Sequence, residues 1–243
     1  MRMDTYQKDR AAVDWIKGAW DDYVDGLPVL LPVLLALAAA TVPSMWLIHR
    51  YHTFLPASVY MLLVLLPLEI GANLVYIKLA RGGKASFTDL FSACGRLYPR
   101  ALAVGAGLGL LTVGGVIAFV IPGVVLYLTY GFSTYALVDK RCGARDAFAL
   151  SRGITEGWRT RLLVLFSMSM AVNFFAPEAV YVGGALKTPE LVFDLKPWTL
   201  VSTVLKTFVF APWLDMAMAR AYVFLLAPRP LPEPSEAWDG GEQ

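Results

Sequence analysis

Between Arg100 and Asp139 the chain carries no charged residue; Lys140, Arg141, Arg145, Arg152, Arg159 and Arg161 then follow in one polar connection. Long apolar runs separated by basic connections are the pattern of helices that cross a bilayer and turn in the cytoplasm. The pattern predicts an all-α, polytopic integral membrane protein with six transmembrane helices, preceded by an amphipathic N-terminal helix. Leu27–Ile48, Pro56–Leu79, Ala101–Val120 and Val124–Val138 are the first four expected spans. Leu162–Leu186, interrupted by Pro177-Glu178, is the fifth, and the sixth falls between Trp198 and Ala227. Pro122-Gly123 reads as a tight outer turn joining spans three and four, with Gly123 in a conformation that a residue with a Cβ adopts poorly.

Residues 1–26 have a different rhythm. Ala12, Ile16, Ala19, Trp20, Tyr23 and Val24 recur at helical spacing, while Asp14, Lys17 and Asp21 lie opposite. This predicts a cytoplasmic amphipathic helix, lying along the membrane with Trp15 and Trp20 at headgroup level or packed on the rest of the domain. The stretch lacks the short apolar core of a signal peptide. Residues 27–227 then form the six-helix domain, and the Pro-rich, acidic tail 228–243 is expected to be disordered.

Lysines and arginines set the orientation. With the N-terminus inside, Lys78, Arg81, Lys84, Arg96 and Arg100 share one inner connection and the cluster from Lys140 to Arg161 another. Only Arg50, Lys187 and Lys196 fall in outer segments, so both termini are expected in the cytoplasm.

Composition supports the class and removes others. Hydrophobic residues make up 57% of the 243 positions and charged residues 16%, with a mean hydropathy of +0.56. A soluble domain carries about a quarter charged residues. A net charge of +2 gives no basis for nucleic-acid binding, and two cysteines give neither a disulfide framework nor metal-ligand spacing.

The candidate chemistry is thin. Arg81-Gly82-Gly83-Lys84 lacks the spacing of a phosphate loop, and no nucleophile elbow or metalloprotease signature is present. His49 and His52 stand one turn apart with no carboxylate or cysteine nearby, so they read as interfacial anchors. No cofactor and no metal is expected. The sharper pointers are polar groups inside apolar runs: Glu69 and Asn73 in the second, Glu178 in the fifth, Asp215 and Arg220 in the sixth. A charge at mid-membrane costs at least ~2.5 kcal/mol on insertion scales, so each needs a partner or water. A sixth span starting near Lys206 would let Arg220 pair with Glu69. Gly105 and Gly109, with Gly114 and Gly115 on another stripe, predict close helix packing within the subunit or between copies.

The connection after Asp139 predicts a short surface helix over Gly143–Leu150. Arg145 and Arg152 reach toward lipid phosphates or a partner, and Ser151 and Thr155 end this helix and begin the next; with Asp139 these four are the candidate cytoplasmic docking residues.

Two segments carry a resemblance: LEIGANLVYIKLARGGKASFTDLFSACGRLYPRAL (68–102) and IPGVVLYLTYGFSTYALVDKRCGARDAFALSRGITEGWR (121–159). With Gly71, Phe87, Leu90-Phe91, Ile121-Pro122-Gly123, Tyr135, Asp139, Ala147, Ser151, Thr155 and Gly157 they resemble a large bacterial family of six-helix membrane domains. One branch of that family is fused to glycerophosphoryl diester phosphodiesterases. The chain contains no such catalytic domain, so the resemblance implies a membrane domain of the bacterial inner membrane and no enzymatic activity. The expected function is a non-enzymatic membrane subunit, a partner in an export or envelope-lipid system that meets membrane lipids, other subunits or a second copy. The alternative is a small transporter or channel whose polar path runs past Glu69, Asn73, Asp215 and Arg220. Against it, the sequence displays neither an inverted repeat nor a matched pair of broken helices.

Overall fold

The computed structural model of the chain describes residues 2–185 and 188–227; the tail expected to be disordered lies outside them. Helices dominate. Among the described residues, five stretches are long and apolar enough to cross a membrane: Val13–Tyr51, Phe54–Ala80, Tyr98–Ala118, Ile121–Lys140 and Pro197–Leu226.

The first helix, α1 (Arg2–Tyr51), is a single rod of 50 residues. At 1.5 Å per residue it is about 75 Å long, against about 30 Å for a hydrocarbon core. Part of it must therefore stand outside the lipid. The candidate for that part is its first section, which carries Asp14, Lys17, Asp21, Asp22 and Asp25. Trp15, Ala19 and Tyr23 of that section are buried against the rest of the protein. The boundary expected near Gly26 is no break in the helix.

After α1 come α2 (Phe54–Tyr60), a π turn (Met61–Leu65) and α3 (Leu66–Ala80). The final helical pair repeats this plan: α9 (Pro197–Leu205), a π turn (Lys206–Phe210) and α10 (Ala211–Leu226). Pro67 and Pro212 follow their π turns at the same spacing. A proline removes the N–H that would bond the carbonyl four residues earlier. Those carbonyls belong to Leu63 and Phe208. Tyr98 Oη donates to Leu63 O at 2.9 Å, and Tyr23 Oη donates to Phe208 O at 2.5 Å. So the expectation of no matched broken helices is corrected: the second and last helical pairs share one break, each satisfied by a tyrosine from a neighbouring helix.

Four further expectations change. The third span, α4 (Tyr98–Ala118), ends at Phe119, whose extended backbone (φ −163, ψ 140) makes the turn. Pro122 and Gly123 sit inside the next helix, α5 (Val120–Tyr130), because proline fits the first helical turn where no N–H partner is needed. Gly123 is therefore helical, and its role is room: a Cβ there would lie 2.4 Å from Val116 Cγ2 and 2.7 Å from Val116 N. Gly115 meets Gly123 Cα from the other side. The fourth expected span breaks after Tyr130 and resumes as α6 (Ser133–Lys140), where the left-handed Arg141 (φ 50) ends it. The expected surface helix is longer, α7 (Ala144–Thr155).

The fifth expected span stops early. The helix α8 covers Arg159–Phe175, because Ala176 precedes Pro177 and is forced extended (ψ 120). Val180–Ala185 (β1) and Thr188–Phe193 (β2) then pair antiparallel, an element that apolar content alone did not separate from a span. Glu178 accordingly lies in the α8–β1 connection rather than within a span, where it pairs with Lys206 Nζ.

The protein thus has two unlike halves. Leu31, Leu35, Val42, Leu110, Val113, Ile117, Val164, Phe175, Val201 and Val204 are exposed and apolar, as a lipid-covered surface requires. The buried core gathers mainly in the first section of α1, α3, α6, α7 and α10, and reaches Leu30 and Val33 of α1, Ala101 and Val104 of α4, Leu128 of α5 and Leu162 and Leu165 of α8.

Candidate functional site

Ion pairs stitch the core layer together, each between residues far apart in sequence. Arg81, just past α3, holds Asp139 of α6 with two hydrogen bonds, Nη1 to Oδ1 at 2.5 Å and Nη2 to Oδ2 at 2.9 Å. Tyr222 of α10 donates to the same carboxylate at 3.1 Å. The Asp139 side chain is 5% exposed, so this expected docking residue is instead a clasp across three helices. Arg220 donates to Asp22 Oδ2 at 2.6 Å and to Gly18 O at 2.7 Å, and Trp213 Nε1 donates to Ile16 O. The expected Glu69–Arg220 pair is therefore corrected: Arg220 binds the charged section of α1, which the apolar periodicity gave no reason to place beside α10.

The connection after α3 folds back along that helix. Ser86 and Asp89 form a capping box on a 3₁₀ turn (Phe87–Phe91), and Asp89 accepts from Lys78 at 2.7 Å. Leu90 O packs directly on Gly71 of α3, where a Cβ would come within 1.8 Å of it. Gly71 and Leu90, two of the residues named in the resemblance, thus meet in one contact.

Helix α7 docks on this layer through its polar side. Ser151 Oγ donates to Thr129 O at 2.8 Å; Thr155 Oγ1 lies 3.3 Å from the same carbonyl and 2.9 Å from Ser151 O. Thr129 is among the last residues of α5, whose carbonyls a helix end leaves without their own partners. Ser151 and Thr155 are fully buried, so they dock the helix and do not cap it. Arg145 and Arg152 point the other way. Both are exposed, and neither side chain bonds to another described residue. Beside Arg152, a recess of about 340 Å³ is lined by Tyr130, Phe148, Ala149, Gly153 and Glu156.

Glu69 and Asp215 form the other unpaired group. Each follows a π–Pro break, on α3 and α10 respectively, and they lie within electrostatic range of one another. Neither carboxylate makes a hydrogen bond or ion pair among the described residues. Both are exposed; among their helical neighbours Pro212, Ala219, Leu65 and Ala72 are buried, and Ala211, Met218, Leu66 and Asn73 are half-buried. Asn73 and Tyr76 stand on the same side of α3 as Glu69. Tyr76, Tyr127 and Tyr135 all lie within electrostatic range of Asp215.

The small-residue stripes divide. Gly105 packs on Leu66 and Gly115 on Gly123, whereas Gly109 and Gly114 have no neighbour within 4 Å. The His49 and His52 rings are 6.3 Å apart, and no group of three His, Cys, Asp or Glu among the described residues could hold a metal.

Reading from sequence found Glu69, Asp215, Asp139 and Arg220 but missed their surroundings: Arg81, Asp22, Tyr222, Tyr76 and Tyr135. The repeated run of apolar residues, proline and then a carboxylate (Leu66-Pro67-Leu68-Glu69; Ala211-Pro212-Trp213-Leu214-Asp215) was the available signal. Compared with protein-family models, curated proteins and solved structures, the chain finds no match.

Proposed function

We propose that the protein is a non-enzymatic membrane subunit whose ion-paired layer is a rigid docking platform for a partner. The observation that carries this is α7: a helix locked down by buried Ser151 and Thr155 while Arg145 and Arg152 have no partner among the described residues. Holding a cationic face rigid reduces the entropy lost when an anionic partner binds. Fixed partner chemistry is acidic, either protein or lipid headgroup, and the sequence resemblance supports an export or envelope-lipid setting in a bacterial inner membrane. Replacing Arg145 and Arg152 with glutamine tests it. Co-purifying membrane proteins are expected to fall about tenfold at unchanged abundance, and an unaltered set of partners would remove the docking surface.

A transport path is the weaker reading. Trp213 and Arg220 flank Asp215 in sequence and both bond to the charged section of α1, so this part of α10 lies level with that section and not with the purely apolar stretches.

The same reading has six crossings with both termini cytoplasmic. Five helices have the length, and α8, at 17 residues, is at the short limit for a span. The hairpin then faces outward and the Lys78–Asp89 connection inward, as the positive-inside bias asks. With Cys94 and Cys142 replaced, a cysteine at Thr188 is expected to label from outside intact cells and one at Thr88 is not. The opposite pattern reverses the topology.

A further inference from the structure

Two cavities lie along α5. The recess of about 340 Å³ beside Arg152 is bounded by Tyr130, the last residue of that helix. A groove of about 330 Å³ runs between α5 and α8, lined by Val124, Leu163, Phe166, Met170 and Phe175. We infer that the two together hold one phospholipid with an ammonium headgroup, phosphatidylethanolamine. Its phosphate sits on Arg152, its ammonium on Glu156 and one acyl chain in the α5–α8 groove. Such a lipid deepens the docking reading, on which it rests for an α7 that faces the cytoplasm, by filling the Arg152 end of that surface.

The charges in the recess select the headgroup. Arg152 and Glu156 both line it. Opposite charges four residues apart on a helix ordinarily pair, yet neither side chain bonds to another described residue. The cause is local. Thr155 is the last helical residue and Glu156 has an extended backbone (φ −62, ψ 126), which takes it off the helical track. One unpaired cation and one unpaired anion therefore border the same space. A guanidinium takes phosphate oxygens two at a time, and a carboxylate takes an ammonium. A phosphatidylglycerol headgroup would bring no cation to Glu156. Gly153 keeps the recess open, because a Cβ there would meet nothing within 4 Å. Tyr130 and Phe148, with ring centroids 5.6 Å apart, supply an aromatic wall of the kind found at headgroup depth.

The groove has the position and the length for a chain. Val124, Tyr127 and Tyr130 follow at steps of three, so groove and recess stand about 9 Å apart along α5. Between them the Tyr127 ring packs on Phe166, itself a groove wall, at 4.6 Å. Helix α8 begins at Arg159, three residues past Glu156, and its groove residues from Leu163 to Phe175 cover about 18 Å. Half a hydrocarbon core is about 15 Å thick. A chain whose headgroup lies in the recess thus has an apolar track through one leaflet. Basic pockets between spans on the cytoplasmic side are where lipid headgroups bind.

The test uses the full chain, delipidated in detergent, and native mass spectrometry. The probes are dioleoyl phosphatidylethanolamine, dioleoyl phosphatidylglycerol and glycerophosphoethanolamine, which is the headgroup without chains. One phosphatidylethanolamine per protein is expected at saturation, with phosphatidylglycerol at least about threefold weaker and the chainless headgroup at least about tenfold weaker. Arg152→Gln is expected to weaken phosphatidylethanolamine about tenfold, and Glu156→Gln to erase the preference over phosphatidylglycerol. Gly153→Leu fills the recess and Ala171→Trp the groove without removing a charge; each is expected to weaken the lipid at least about tenfold. Unchanged binding in these two variants overturns the site, and equal binding of the two lipids by the parent overturns the headgroup assignment. Both variants keep Arg145 and Arg152, so their co-purifying proteins are expected to persist while the lipid is lost. Lipid binding that survives Arg152→Gln, alongside partner proteins lost from the Arg145, Arg152 glutamine variant, sinks the lipid site and leaves the docking reading standing.

Discussion

Replacing Gly71 with alanine is expected to destabilise the protein more than any other single-methyl change in it. The added Cβ would sit 1.8 Å from the carbonyl oxygen of Leu90 and 2.7 Å from its carbonyl carbon. Both are backbone atoms, so no side-chain rotation relieves the contact and the whole 3₁₀ turn has to move. Leu90 is fully buried and Asp89 is bonded to Lys78, which means that the movement disrupts a packed side chain and an ion pair together. Overpacking costs ~1–3 kcal/mol where side chains can adjust, and an immovable backbone belongs at the upper end or beyond. Gly109→Ala is the control, because nothing lies within 4 Å of its Cβ position. Helix propensity makes that change favourable by up to ~1 kcal/mol. Unfolding temperatures in the same detergent should separate the two variants by several degrees in opposite directions. Equal behaviour would mean that the turn does not press on Gly71.

What was legible in the sequence was what bilayer chemistry writes locally. The apolar runs around Leu27–Ile48, Ala101–Val120 and Trp198–Ala227 contain helices, and a basic connection does follow Asp139. What was illegible depends on partners distant in the chain. Arg81 and Asp139 are 58 residues apart, and Arg220 and Asp22 are 198 apart. No periodicity links such positions, so Asp139 read as a free docking residue and Arg220 as a match for Glu69. Pro122-Gly123 misled for a different reason. The pair is a strong turn signal, but proline is equally comfortable in a first helical turn, and Phe119 had already reversed the chain. The hairpin was missed because Val180, Tyr181, Val182, Leu191 and Val192 are as apolar as a span. Their β-branched and aromatic character, with Gly183-Gly184 and Pro189 beside them, was the usable clue. Ser151 and Thr155 were read as caps because their type favours helix ends. Burial against Thr129 O overrides that preference.

Asp139→Ala is the second large effect, and a double-mutant cycle makes it informative. The substitution strips Arg81 of a bidentate partner and leaves the Tyr222 hydroxyl facing an apolar methyl. A wholly buried pair broken on one side costs ~3–5 kcal/mol. Arg81, however, is 38% exposed, and solvent screens what it loses. About 1–3 kcal/mol is therefore expected for Asp139→Ala. Arg81→Ala should cost less, because the carboxylate left behind keeps Tyr222 and has Lys140 at 3.5 Å. Tyr222→Phe removes one hydrogen bond and keeps the ring against Phe132 and Tyr135, for about 0.5–1.5 kcal/mol. Since all three groups meet at one carboxylate, the single effects should not add. The Arg81→Ala, Asp139→Ala double variant is expected to be more stable than the sum predicts by at least ~0.5 kcal/mol. Chemical denaturation in mixed micelles gives all four corners of the cycle. Strict additivity would show that Arg81 and Asp139 are neighbours without being a clasp, and that α3, α6 and α10 are held together by apolar packing alone.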